Sequence, residues 1–285
     1  FLLNGKEQSE KEVVKISHFL DLFCEYIGKR PFARVESINF VPTAAGLASS
    51  ASAFAALALA VADALKLDMT RQELSTFARR GSGSSTRSLF GGFVEWDMGT
   101  SSEDSMAHPV DDADWDIGML VLVVDSQEKK IASRIGMEHT VQTSPFYPAW
   151  IETAREDLQA MKAAIAEKDF ETLGRITEHN GFKMHATTLS ANPPFTYWSA
   201  DSLLAQEAVR LVREELQVPA YMTMDAGPNV KILCRASDMG RLRKALSIHF
   251  PAENIISSLP GPAAYVLSEA DWQQSKMRLT EGNHV

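Results

Sequence analysis

The stretch Pro42-Thr43-Ala44-Ala45-Gly46-Leu47-Ala48-Ser49-Ser50-Ala51-Ser52-Ala53 constrains this chain more than any other. A proline and a glycine interrupt a strand-like run, and a Ser-Ser pair stands where a helix would begin. An Ala- and Leu-rich series from Phe54 to Val61 then continues without a breaker. The first turn of a helix leaves backbone N–H groups unpartnered at the positive end of its dipole, so a loop of small residues there can hold a phosphate. The same letters also describe an Ala-rich buried helix with a serine cap. Between Ala44 and Ala53 only Leu47 is bulky, which lets a ligand approach the backbone closely.

At 285 residues with 45% hydrophobic content, the chain can fill two domains or one large α/β unit. Its net charge of −9 disfavours nucleic acid and acidic membranes as partners, because their phosphates attract a basic face. Any anion site must therefore be built locally. Cys24 and Cys234 lack metal-ligand spacing and read as reduced, buried thiols, which suits the cytosol. No run approaches the ~20 apolar residues of a membrane span. The chain starts at Phe1 with a strand end and no methionine, so a segment upstream, holding that strand's partner, is expected.

Asn4-Gly5 predicts a tight hairpin turn. Val13, Ile16, Phe19, Leu20, Phe23 and Ile27 recur at helical spacing up to Gly28. Residues 32–38 alternate as a strand, and Thr70 with Glu73 forms a capping box for a helix over 70–80. Gly81 to Ser88 is too small and polar for core. It reads either as a flexible linker or as a cradle for phosphate or carboxylate built around Arg87. Residues 101–116 read as an exposed acidic loop, and 117–124 as a buried strand. Lys129, Lys130, Ser133 and Arg134 form a basic cluster, either a solvated turn or an anion contact. Helices are expected over 145–167, 170–182, 199–215 and 239–250, with edge strands at 255–257 and 264–267. His185 reads as a capped, satisfied histidine. Residues 220–233 form a hairpin about Gly227-Pro228. At its edge Asp225 is either a turn aspartate bonding its own backbone or a functional acid.

A phosphate-holding helix start, a Gly/Ser cradle with an arginine, a second basic site and a lone aspartate together suit phosphoryl transfer. The chain has no GxxxxGK followed by Ser or Thr and no GxGxxG, so neither a P-loop nor a dinucleotide fold is indicated.

Pro42 to Ser50 resembles the phosphate loop of the GHMP kinase superfamily. Taken with Gly81-Ser82-Gly83-Ser84 through Arg87-Ser88, with Ser133-Arg134-Ile135-Gly136-Met137, and with Met224-Asp225-Ala226-Gly227-Pro228-Asn229-Val230-Lys231, the chain is similar to the mevalonate diphosphate decarboxylase family. The resemblance implies a two-domain α+β fold of mixed sheets packed with helices, divided at 1–125 and 126–285, with the active site in the cleft between them. It implies ATP- and Mg²⁺-dependent decarboxylation of 5-diphosphomevalonate, after phosphorylation of its 3-hydroxyl, in a cytosolic homodimer that binds neither nucleic acid nor membrane. By resemblance Asp225, Arg87 and Ser133 are catalytic. Ser82, Gly83, Ser84, Arg87, Arg134, Met137 and Ala226 bind substrate, and Ala45, Gly46, Leu47, Ala48, Ser49 and Ser50 bind ATP. The protein ligands of Mg²⁺ stay open, with Ser50 a candidate beside the ATP phosphates. The rival readings are a mevalonate 3-kinase, a 5-phosphomevalonate decarboxylase, and a catalytically silent ligand-binding relative.

Overall fold

A computed structural model of the chain describes residues 1–40, 49–125 and 131–281. These fall into two compact units, one of residues 1–40, 49–112 and 261–281, the other of 113–125 and 131–260. Among the described residues the chain first passes from one unit to the other at 112/113. A second crossing returns the chain to the first unit at Gly261, because Ala264 packs on that unit's core and Lys276 reaches Glu36 at 3.5 Å.

In the first unit, strand β1 (Leu2–Leu3) turns through Asn4 and Gly5, both at positive φ, into antiparallel β2 (Lys6–Glu7). Its other neighbour is the parallel strand β3 (Glu36–Ser37). Both described partners of β1 therefore follow it in the chain. Only 36–37 of the expected strand 32–38 pairs; Phe32 projects into solvent.

Ser9 caps helix α1 (Glu10–Asp21), which continues as the short α2 (Cys24–Ile27) and stops at Gly28, φ 73°. Helix α3 (Ser49–Ala64) buries Ala51, Phe54, Ala55, Ala58 and Ala62, and α4 (Arg71–Gly81) starts on the expected Thr70–Glu73 capping box. Aromatic rings join these helices: Phe19 meets Phe54 with centroids 5.0 Å apart, and Phe23 stacks on Phe77 at 4.8 Å. A 3-10 turn over Gly83–Leu89 leads to the antiparallel pair β4 (Phe93–Trp96) and β5 (Ala107–Asp111).

The run 101–116 is thus not a plain solvated loop. It contains a strand, and several of its carboxylates have partners. The hydroxyl of Thr100, with the backbone N–H groups of Ser101 and Thr100, holds the Asp104 carboxyl far below the usual range, while Asp116 accepts from Ser237 Oγ at 2.6 Å.

The second unit is built on an antiparallel sheet of order β7-β8-β6-β9. Its elements in chain order are β6 (Gly118–Leu122), α5 (Ser133–Thr143), α6 (Tyr147–Ala166), α7 (Phe170–Leu189), α8 (Ala200–Leu216), β7 (Ala220–Thr223), β8 (Val230–Cys234), α9 (Met239–Leu246) and β9 (Ile255–Ser258). Leu120, Leu122, Met222 and Ile232 from the sheet meet Val209, Val212, Leu242 and Leu246 from the helices in one core. Each such side chain contributes roughly 1.5–3 kcal/mol when fully removed from water.

Three expectations about helices and strands need revision. Helix α7 runs on past 182 to Leu189, and its glycines are packing residues: a Cβ on Gly181 would lie 2.7 Å from Thr223 Oγ1, and one on Gly174 would strike the Tyr221 ring. Both glycines lie on one helix face against alternate residues of β7. Helix α5 escaped notice because its buried residues are Gly136 and Thr140, while the apolar Ile135, Met137 and Val141 face solvent. Residues 264–267 form no strand; they lead into a helix over Glu269–Thr280. Among the described residues, no helix is long and apolar enough to cross a membrane.

Helices α6 and α7 are clamped by Asp157, which lies 2.5 Å from Lys183 Nζ and accepts from Asn180 Nδ2 at 2.8 Å. Burial pushes this carboxyl up, yet the bonds from Asn180 and Lys183 and the Lys183 charge outweigh burial, and its net shift is downward. A lowered carboxyl stabilises the fold above its unfolded pKa of about 4 and loses that stabilisation as pH falls through the folded value. Asp157→Asn should therefore cost about 1–2 kcal/mol at pH 7, with the difference closing progressively below about pH 4, as read from urea midpoints.

Candidate active site

The Gly/Ser run between α4 and β4 is packed, not loose. Gly81 ends α4 against Phe54, whose ring a Cβ would overlap at 2.1 Å. The side chains of Ser85 and Thr86 are fully buried, which corrects the reading of 81–88 as too polar for core. Polar side chains are buried when their hydrogen bonds are made, and these are. Ser85 Oγ donates to the carbonyls of Ala78 (2.6 Å) and Ser82, and Thr86 Oγ1 to that of Gly83 (2.6 Å). The inner hydroxyls thereby fasten a turn whose other residues include Ser82, Gly83, Ser84 and the exposed Arg87.

Two contacts extend this face. Ser82 Oγ lies 3.2 Å from Ser50 Oγ in the first turn of α3, a turn with no acidic residue to repel an anion. The Arg87 guanidinium lies over the Trp96 ring at 5.9 Å, and a Cβ on Gly83 would touch the same ring at 3.3 Å. Trp96 Nε1 in turn donates to the buried Ser105 Oγ at 3.0 Å. Trp96 and Ser105 were missed as site residues; the signal available was an aromatic ending the strand directly after the cradle. The first unit thus brings together Ser50, Ser82, Gly83 and Arg87 from the expected set. Ala45, Gly46, Leu47 and Ala48 lie outside the described residues, as do Lys129 and Lys130.

In the second unit, Asp225 stands in the loop joining β7 to β8, and that loop is tied down on several sides. Gly227 N–H donates to the Asp225 carbonyl at 2.7 Å, closing the turn through backbone alone. The buried Ser202 at the start of α8 donates to the Pro228 carbonyl at 2.6 Å. The buried Asn229 side chain accepts from the N–H groups of Val124 (2.8 Å) and Asp125 (3.1 Å) beyond the end of β6. The Asp225 carboxylate therefore does not serve its own turn; it meets Lys231 Nζ at 2.8 Å.

His185 lies beneath this loop. It is fully buried in the interior of α7, with Nε2–H donating to the Met224 carbonyl at 3.2 Å and the ring against Trp198 at 4.9 Å. It is not a satisfied cap: its Nδ1 has no hydrogen-bond partner among the described residues. Burial chiefly lowers its pKa, opposed by the Met224 carbonyl and the Asp225 charge and assisted by Lys231. Its ring also meets Tyr197 edge-on, and Tyr197 presses on Gly136 so closely that a Cβ there would lie 2.1 Å from the phenol oxygen. Through Tyr197, the helix that starts with Ser133 and Arg134 and carries Met137 connects to the Asp225–Ala226 loop. His185, Ser202 and Asn229 received no role from sequence, since each acts on a residue distant in the chain.

Chemically, the first unit offers hydroxyls and a guanidinium for anions, and the second a firmly held carboxylate. Among the described residues, no three His, Cys, Asp or Glu side chains gather to hold a metal ion.

Comparison with known proteins supplies a context. Residues 1–107 match the model of the diphosphomevalonate decarboxylase-like N-terminal domain, and 119–281 that of the mevalonate 5-diphosphate decarboxylase C-terminal domain. Diphosphomevalonate decarboxylase of Candida albicans is 39% identical over 221 residues, covering 76% of this chain and 61% of that protein. Mevalonate diphosphate decarboxylase from Enterococcus faecalis, studied for mevalonate diphosphate mediated ATP binding, aligns with TM-score 0.86 at 47% identity, over 92% of this chain and 80% of that one. MDDEF in complex with MVAPP, AMPPCP and magnesium aligns with TM-score 0.86 at 48% identity, over 92% and 81%. The chain spans 51–61% of the length of the curated relatives it matches.

Removing the Asn229 side chain would strand two backbone donors where the Asp225 loop meets β6. Asn229→Ala should lower unfolding free energy by about 1–3 kcal/mol. Asn229→Asp, which keeps the acceptor, should retain most of the stability; paired urea titrations of the two variants read the difference.

Proposed function

Because the chain belongs to the diphosphomevalonate decarboxylase family, whose fold is α+β and GHMP-kinase-like, we propose that it catalyses ATP-dependent decarboxylation of (R)-5-diphosphomevalonate. The products are isopentenyl diphosphate, ADP, phosphate and CO₂, with the 3-hydroxyl phosphorylated first, as a step of isoprenoid synthesis. The observation that carries the reading is Asp225: a carboxylate that its own turn does not use, on a loop fastened by Ser202, Asn229 and His185.

The residues present suit the groups involved. The start of α3 offers Ser49 and Ser50 with no nearby carboxylate in its first turn, so Ala45 to Ser50 is assigned to the ATP phosphates. Magnesium, a hard cation bound largely through phosphate oxygens, needs no cage of protein carboxylates, and Ser50 Oγ is the side chain assigned beside it. When bound, ATP and Mg²⁺ supply the phosphoryl group and screen its charge.

The chain's own side chains do the rest. Ser82, Gly83, Ser84 and Arg134 take the substrate diphosphate, with Met137 and Ala226 lining the substrate and Ser133 beside the reacting groups. Asp225 accepts the proton of the 3-hydroxyl, a poor tertiary nucleophile for which a positioned base is worth about 10²–10⁴-fold. Arg87, steadied by Trp96, orients the substrate carboxylate through a two-pronged contact. As the carboxylate leaves as CO₂, its C–C bond electrons fill the tertiary carbon vacated by the 3-phosphate.

The part of the chain through residue 125 thus serves nucleotide and substrate carboxylate, and the part from 126 supplies Asp225 and the diphosphate contact at Arg134. We assign the working form as a cytosolic homodimer; free thiols at Cys24 and Cys234 suit that compartment.

Two variants test the reading in the full-length protein. Asp225→Asn should lower turnover by at least about 10²-fold while ATP still binds, measured by coupled ADP release and nucleotide titration; near-normal turnover would rule the role out. Arg87→Lys should reduce CO₂ release about 10–100-fold with an unchanged melting temperature. In the unmodified protein, a stable 3-phosphate product without CO₂ would make it a 3-kinase instead.

A further inference from the structure

The most confined charge near the Asp225 loop is not Asp225. The side chain of Lys231 is 13% exposed, whereas that of its partner Asp225 is 66% exposed. An ordinary surface ion pair joins two mobile side chains and contributes little. Here the cation stands on β8, paired to Thr223 of β7 on one side and Val121 of β6 on the other, so the sheet fixes its origin. An ammonium so nearly buried requires an anion, and among the described residues Asp225 is the carboxylate within ion-pair distance. His185, beneath the loop, feels both charges with opposite effect, which puts all three groups in one cluster.

We propose that Lys231 is a positioning residue for the reaction assigned above: it holds Asp225 Oδ2 from below, leaving Oδ1 to receive the proton of the substrate hydroxyl. This rests on the assignment of Asp225 as the base. A carboxylate has acceptor sites on both oxygens, so one can be committed to an anchor while the other works. Without the anchor, an exposed aspartate would sample several rotamers, and a displacement of about 1 Å at a reacting group can reduce the rate on the order of 10²-fold.

The test compares Lys231→Met, Lys231→Arg and Asp225→Asn in the full-length protein by kcat, KM and melting temperature. Lys231→Met should lower kcat about 10–100-fold, with KM for diphosphomevalonate changing less than about threefold. Its melting temperature should hold or rise, because an apolar side chain of similar length replaces a nearly buried charge and the released Asp225 is already in solvent. Lys231→Arg, which keeps the cation, should recover activity to within about fivefold of the unmodified protein. A purely structural lysine would give the reverse pattern, a lowered melting temperature with kcat intact. That result, or failure of Lys231→Met to fold, overturns the proposal. Unchanged kcat in Lys231→Met beside an inactive Asp225→Asn overturns the positioning role alone, whereas an active Asp225→Asn removes the underlying reading.

Discussion

The pairing of β8 with β6 governs the second unit, and its decisive point is the place where the pairing stops. Leu122 and Val230 are the last matched residues, and beyond them the Asn229 side chain takes over, accepting from the N–H groups of Val124 and Asp125. A side-chain amide thus replaces the next rung of the ladder, which frees the backbone at Met224–Pro228 to turn outward. Were the ladder to continue, Asp225 would be drawn into the sheet. Because it stops on a buried, hydrogen-bonded asparagine, the loop is short, closed and held, and its carboxylate is presented rather than absorbed.

The first unit reaches a similar result with different means. Its cradle uses buried hydroxyls as fasteners: Ser85 and Thr86 donate to carbonyls of their own turn, satisfying groups that would otherwise destabilise the core. Small side chains therefore have two jobs within eight letters of sequence. Some hold the turn from inside, while Ser82 reaches Ser50 and the missing Cβ of Gly83 leaves room for the Trp96 ring. The Arg87 guanidinium, laid over Trp96, then has fewer orientations to lose in meeting the substrate carboxylate proposed for it.

What the sequence disclosed follows from the range of the interaction concerned. The Asn4-Gly5 turn, the Thr70–Glu73 box and the Ala-rich helix are local, and their signals lie within a few residues. The buried strand β6 was visible as an apolar run. Helix α5 was not, because it buries Gly136 and Thr140 and exposes Ile135 and Val141, inverting the usual pattern. Glycines at 174 and 181 carried no signal of their own; they are clearances for Tyr221 and Thr223, more than forty residues on. The supports of Asp225 follow the same rule. Lys231 lies in the same motif, yet its pairing depends on the hairpin closing, and Ser202, His185 and Asn229 act across the fold.

The ion pair between Asp225 and Lys231 bears on where the carboxylate stands. Phosphoryl transfer through a loose transition state gains little from early, complete removal of the nucleophile's proton; it gains from holding the oxygen in line and from receiving the proton as the bond forms. For such a step the place of the acceptor is decisive. A lysine rooted in the sheet, partnered to an aspartate that reaches into solvent, fixes that place.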